Sequence, residues 1–185
     1  MIPTLTTPRL ILRPYRLADF EPYAAMWAEP EVVRFIGGVP FTREAAWTRF
    51  LRQMGMWHHL GFGFFVVEAR DTGAFIGEAG FHEVRRDLIP SIEGTLEAGW
   101  ALVSAAQGKG LAEEAMRAAL DWADAALASG RLDATCRDKA RTVCMIEPAH
   151  GASLHVAGKL GYSPYTETTY HGRAVRLLER PRPEA

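Results

Sequence analysis

Apolar and polar positions follow two rhythms along this chain, one of two residues and one of between three and four, and their order predicts most of the elements. Arg9-Leu10-Ile11-Leu12-Arg13 reads as a strand that Pro14 stops. Asp19 offers a helix cap, and Phe20, Tyr23, Ala24 and Trp27 recur at helical spacing until Pro30. Thr42 caps a second helix, in which Ala46, Phe50, Leu51, Met54 and Trp57 share a face up to about His59, before Gly61. The rhythm then shortens: Phe64 to Glu68, a turn at Asp71-Thr72-Gly73, and Phe75 through Val84 predict an antiparallel hairpin. Thr95 to Leu102 is a further strand. Leu111 to about Ala128 is a long amphipathic helix, with Glu113, Glu114, Arg117, Asp121 and Asp124 opposite Leu111, Ala115, Ala119, Trp122 and Ala126. Thr142 to Ile146 is a short buried strand, and Ala152 to Leu160 a helix closed by Gly161. Strands around Tyr165 to Tyr170 and Ala174 to Leu178 turn at His171-Gly172, and Glu179 to Ala185 reads as a frayed tail.

No repeat or low-complexity linker divides these elements. The expectation is one domain over residues 1–185, with its core at about 7–178, of α+β class with a mixed sheet. A net charge of -1 and a pI near 6.6 disfavour a nucleic-acid partner, whose phosphates call for a basic face. Cys136 and Cys144, with seven residues between them and no histidine at ligand spacing, support neither a metal site nor a disulfide framework. The first residues, Met1 to Leu12, lack a signal-peptide pattern, and no run reaches membrane-spanning length. A cytoplasmic protein without a membrane partner is expected. Exposed apolar residues on the last strands would permit a homodimer.

Chemistry concentrates in Gln107-Gly108-Lys109-Gly110-Leu111-Ala112, between an apolar strand and the long helix. Glycines there leave backbone N–H groups uncovered, and the following helix aims its positive end at whatever sits above, so the segment reads as an anion cradle. A Walker loop would need Ser or Thr where Gly110 stands, and a dinucleotide fingerprint would need glycine where Glu113 stands.

Gln107-x-x-Gly110-x-Ala112 resembles the Gln/Arg-x-x-Gly-x-Gly/Ala loop of the GCN5-related N-acetyltransferases. Thr7-Pro8-Arg9-Leu10-Ile11-Leu12-Arg13-Pro14, Ile76-Gly77-Glu78-Ala79-Gly80 and Glu97-Ala98-Gly99-Trp100 look like the ribosomal-protein alanine acetyltransferase branch of that superfamily. His150-Gly151-Ala152-Ser153 and Lys159-Leu160-Gly161-Tyr162 are similar to the branch's Asn-x-x-Ser and Glu-Lys-x-Gly-Phe segments, so the likeness runs from about Thr7 to Leu178. It implies a mixed, mostly antiparallel sheet of about seven strands flanked by about four helices, and acetyl-coenzyme A as donor. The cofactor-binding residues it implies are Ala101, Leu102 and Val103 along the strand end, Gln107, Gly108, Lys109, Gly110, Leu111 and Ala112 in the loop, and His150 and Ser153.

Acetyl transfer to an amine needs a neutral nucleophile and a proton source for the departing thiolate. An α-amine, with an ordinary pKa of ~7.7–8.0, supplies the neutral form more readily than a lysine at ~10.4. Glu97 is the expected general base, direct or through a water, because period two sets it on one strand face with the small Gly99 and Ala101. Ser153 is the expected source of the thiolate's proton, with helix capping as its alternative role. His150 stands where the branch has Asn, and Ala157 where many members have a tyrosine acid. Glu78, Glu83 and Glu93 are secondary candidates for attracting a cationic acceptor, and Arg85-Arg86-Asp87 for bordering its site. The five tryptophans read as core or rim packing, Trp47 and Trp57 also as candidates to line an acceptor cleft. The acceptor itself, a protein N-terminus, polyamine, amino acid or antibiotic, stays open, and a non-catalytic acyl-coenzyme A sensor or scaffold is the rival function.

Overall fold

The structure, a computed structural model, describes residues 2–183. Its strands are β1 Leu5–Thr6, β2 Leu10–Arg13, β3 Phe64–Ala69, β4 Phe75–His82, β5 Leu96–Leu102, β6 Arg141–Ile146, β7 Ser163–Tyr170 and β8 Arg173–Pro181. The helices are α1 Phe20–Ala28, α2 Pro30–Val33, α3 Arg43–Leu60, α4 Leu111–Ala128 and α5 Gly151–Lys159. The α+β class holds, with eight strands and five helices among the described residues where about seven and four were expected. The additions are the two-residue β1 and the single turn α2, both too short to show a rhythm. Pro30 does end α1, but as the first residue of α2, where its missing N–H costs nothing.

Thr42 caps α3 by accepting from the Ala45 N–H at 3.1 Å, and Gly61 closes the helix in a left-handed conformation. Asp19 does not cap α1. Its carboxylate instead accepts from the Arg16 N–H at 2.7 Å and pairs with Arg13, closing the 3₁₀ turn Leu17–Asp19 ahead of the helix. Glu179 and Arg180 belong to β8 rather than to a frayed tail, because β8 pairs with both β6 and β7. Residues 184–185 of that expected tail lie outside the described residues.

One eight-stranded sheet runs β1-β2-β3-β4-β5-β6-β8-β7, antiparallel at every junction but β5–β6. Both faces are covered. On β3, Phe65 and Val67 join the core under α4 and α5, while Phe64 and Val66 join the core under α1 and α3. The α4 stripe of Ala115, Met116, Ala119, Ala123 and Ala126 seals the first of these, its four alanines letting the helix approach the sheet. Leu12, Phe65, Leu96 and their neighbours are fully buried, each contributing about 1.5–3 kcal/mol. Among the described residues no helix is long and apolar enough to cross a membrane.

What positions the site is the parallel junction. β5 and β6 pair only at Leu96↔Thr142 and Glu97↔Val143, and then part company. Beyond that point Ala98 to Ala101 of β5 and Cys144 to Ile146 of β6 face each other across a cavity instead of across hydrogen bonds.

Candidate active site

Two clefts open from this splay and meet. The first, about 480 Å³, runs from the Gln107–Ala112 loop along Ala101 and Leu102 to the start of α5. The second, about 440 Å³, lies over the other side of the splayed strands, between Trp27, Phe41 and Arg49 on one flank and Tyr170, His171 and Arg173 on the other. Trp100, Ala101, His150 and Ser153 line both, with Phe35 and Ile36 above them.

The loop is built to present donors. Gly108 and Gly110 take φ of 71° and 74°, a region that favours glycine, and Gly110 is the N-cap residue of α4. Among the described residues none of the backbone N–H groups of Gly108 to Ala112 donates to a protein acceptor. Arg9 fixes the loop from behind: its Nη1 donates to the Lys109 carbonyl at 2.9 Å, and its Nε pairs with Glu114 at 2.6 Å. Since a peptide's C=O and N–H point in opposite directions, the Gly110 N–H is turned away from Arg9. A Cβ on Gly108 would meet nothing within 4 Å, so the space above the cradle is open. Free N–H groups at the positive end of a long helix suit a diphosphate.

Nine of the expected cofactor-binding residues line this cleft: Ala101, Leu102, Gln107, Gly108, Gly110, Leu111, Ala112, His150 and Ser153. Val103 and Lys109 do not. The Val103 N–H is spent on the Ile76 carbonyl, and both residues line a separate groove by Arg9 and Arg70. Gln107 also has a structural task, its Nε2 donating to the Leu102 carbonyl at 3.0 Å and tying the loop to the end of β5.

Glu97 faces the second cleft with Gly99 and Ala101, as the two-residue period predicts, but it is not a free carboxylate. Arg86 donates Nε to Oε2 at 2.8 Å and Nη2 to Oε1 at 2.9 Å, and His82, directly across the β4–β5 ladder, approaches Oε1 with Nε2 at 3.1 Å. Burial works to raise the Glu97 pKa; His82 and Arg86 overcome it and hold the group at about 2. That corrects the expectation of a direct base, since so weak a base does not carry a proton away from an amine. With Nε2 directed at Glu97, His82 has its Nδ1 left over, a buried atom with no partner among the described residues.

Ser153 is the third residue of α5, not its cap, and its hydroxyl has no protein partner among the described residues. His150 occupies the N-cap position without capping through its side chain. Its ring stacks on Phe35 at 4.4 Å, and burial pushes its pKa down. Ala157 is fully buried, so nothing replaces a tyrosine acid there.

Several cavity residues were missed or undervalued. Glu78 is completely buried, accepting from the Tyr15 hydroxyl at 2.5 Å and from Arg49 at 3.0 Å. The alternation Glu78-Ala79-Gly80-Phe81-His82 carried the signal, because its odd members enter the core while Glu78 and His82 share the opposite face. Arg49, Glu147 and Arg173 had no local signal. Trp27 and Trp100 line the cavity, whereas Trp57 sits in the core donating to the Phe64 carbonyl and Trp47 stacks on Phe50. Glu83 holds the turn by accepting from the Arg85 and Gly94 N–H groups, and Glu93 pairs with Arg137. Cys144 lines the cavity with its thiol pushed well up by burial, and among the described residues no cluster suits a metal ion.

Comparison with known proteins places this geometry in context. Residues 9–163 match the family model described as acetyltransferase (GNAT) domain. A solved putative GnaT-family acetyltransferase from Bordetella pertussis is 35% identical, with a TM-score of 0.78 over 96% of this chain and 99% of that one. The curated relative "Uncharacterized N-acetyltransferase p20" of Bacillus licheniformis is 27% identical over 86% of this chain and 82% of its own length. Mycobacterium smegmatis RimJ, solved in complex with a coenzyme A disulfide, shares the fold with a TM-score of 0.69 at 16% identity, over 97% of this chain and 86% of that one.

Proposed function

The chain belongs to the GNAT acetyltransferase family, and from that premise we propose that it moves the acetyl group of acetyl-coenzyme A directly onto a primary amine. The observation that carries the reading is the junction of the two clefts at Trp100, Ala101, His150 and Ser153. One cleft suits a long anionic donor and the other a compact acceptor, and they meet at this wall beneath Phe35 and Ile36. Holding both reactants at such a junction replaces an encounter in solution by a positioned contact, which can lower the barrier by about 7–11 kcal/mol.

The backbone N–H groups of Gly108 to Ala112 take the donor's pyrophosphate, and Ala101 and Leu102 guide its arm along β5. The coenzyme A of the RimJ complex supports this assignment by the shared fold. On the acceptor side, Glu97 stays anionic throughout. It orients His82, whose unpartnered Nδ1, directly or through a water, takes the proton that the amine sheds on attack. Glu97 then stabilises the imidazolium as the carboxylate of a triad does. Ser153, with a free hydroxyl at the junction, donates toward the departing thiolate.

Calorimetric titration and a free-thiol assay test the reading. Acetyl-coenzyme A is expected to bind, amines to release coenzyme A, and Ser153→Ala to lower kcat roughly tenfold or more with donor Kd little changed. The locked state of Glu97 favours the rival, a non-catalytic sensor of acyl-coenzyme A. That reading requires donor binding with no amine-dependent thiol release, and this outcome would remove the transferase assignment.

A further inference from the structure

Charges in the acceptor cavity are matched one to one. Glu78 pairs with Arg49 at 3.0 Å, Glu97 with Arg86 at 2.8 Å and Glu147 with Arg173 at 2.5 Å. Each of the three carboxylates lining the cavity is therefore already covered by a guanidinium. A polyamine or an aminoglycoside would bring extra ammonium groups into the cavity with no free anion to meet them, and desolvating an unpaired charge is costly.

Beside the cavity, among the described residues, two charges of opposite sign stand without an ion pair, Arg52 and Glu44, and Arg52 is the one next to the cavity residue Arg49. Arg52 lies on α3 in a groove of about 450 Å³ that shares Phe41 and Arg49 with the acceptor cavity. Among the described residues no carboxylate oxygen comes within 4.0 Å of it. Arg52 is exposed at the surface of this groove; desolvation and the guanidiniums of Arg49 and Arg86 press its pKa down against the opposing pull of Tyr23 and Glu78, so an added anion there would relieve it. Glu44, the carboxylate in the same groove, stands eight residues earlier on α3, about 12 Å away along the helix. Arg49 lies over the Trp27 ring at 4.2 Å, which fixes it beside the mouth of the cavity.

We infer that the acceptor is an amine carrying a carboxylate near the reacting nitrogen, and that Arg52 is the residue that selects it. This rests on the acetyl-transfer reading and names the acceptor class within it. A free amino acid and an acidic peptide N-terminus both present that chemistry, and the balanced pairs exclude polycations from the preferred set.

The test uses the full chain with matched acceptors. One arm compares glutamate with its diamide, a second compares peptides beginning Ala-Asp-Asp and Ala-Asn-Asn, and spermidine is the polycation control. At least one carboxylate acceptor is expected to exceed its amide in kcat/KM by about 10- to 100-fold, the range of a charge-assisted hydrogen bond, and Arg52→Gln to collapse that ratio toward one while Arg52→Lys keeps part of it. The arm in which the preference appears tells an amino acid from a peptide. Parallel calorimetry measures binding of the N-acetylated acid and amide of each pair to the coenzyme A complex. If no acceptor turns over, the transfer reading fails, and the inference about the cavity stands or falls on whether the acid binds more tightly than the amide. Equal kcat/KM for acid and amide in both arms, spermidine as the fastest acceptor, or a preference that survives Arg52→Gln would overturn it.

Discussion

Arg86 grips Glu97 through two parallel hydrogen bonds, Nε to Oε2 at 2.8 Å and Nη2 to Oε1 at 2.9 Å, from a loop that sequence rhythm leaves unassigned. A residue expected to shuttle a proton is thereby held as an anion at neutral pH, with His82 beside it at 3.1 Å.

That pairing has a pH signature. The Glu97 pKa falls from its ordinary 4.5 to about 2 on folding, so its stabilisation is complete above the unfolded value and is lost as pH falls from about 4.5 to about 2. The contribution is about 3 kcal/mol. Denaturant unfolding followed from pH 6 to pH 3 is expected to show a shallower loss in Glu97→Gln than in the parent chain. Identical acid slopes for the two would show that the carboxylate is not held as described.

Gly108 holds φ of 71° with no atom within 4 Å of a built Cβ. Replacing it by alanine therefore meets strain in the backbone but no clash, at a cost of about 1–2 kcal/mol. Because relief of that strain turns the adjacent N–H groups, acetyl-coenzyme A affinity is expected to drop about tenfold in Gly108→Ala, read by calorimetry. Retention of full affinity would show that the cradle does not depend on the left-handed turn.

Arg49 is the cation on the completely buried Glu78. Arg49→Met leaves that carboxylate with only Tyr15 and Gln53, and breaking a buried pair from one side costs about 3–5 kcal/mol. Adding Glu78→Gln is expected to restore much of the loss in thermal or urea unfolding. A double variant as unstable as the sum of the single ones would place the stability elsewhere than in the pair.

The helix and strand order was legible because each long element repeats its own period several times. α4 runs from Leu111 to Ala128 as its stripe predicts, and Thr42 and Gly61 bound α3 by local hydrogen bonding and backbone conformation alone. The glycine loop was legible for a related reason, since free N–H groups and positive φ depend on residues adjacent in the chain. Arg52, Arg49, Arg86 and Arg173 were not legible as a set. They come from α3, the β4–β5 loop and β8, and nothing in the local sequence tells a paired arginine from a free one.

Residue spacing alone thus settled which face of β5 carries Glu97 and which loop precedes α4, because strand alternation and turn conformation act over neighbouring residues. Tertiary structure decided the rest. Where β6 parts from β5 after Val143, which arginine reaches which carboxylate, and hence that Glu97 is locked and Arg52 is left without an ion pair, follow from register and packing between positions 11 to 46 residues apart in the chain. Such pairing energies depend on distance and burial in space, and neither quantity exists until the sheet has closed.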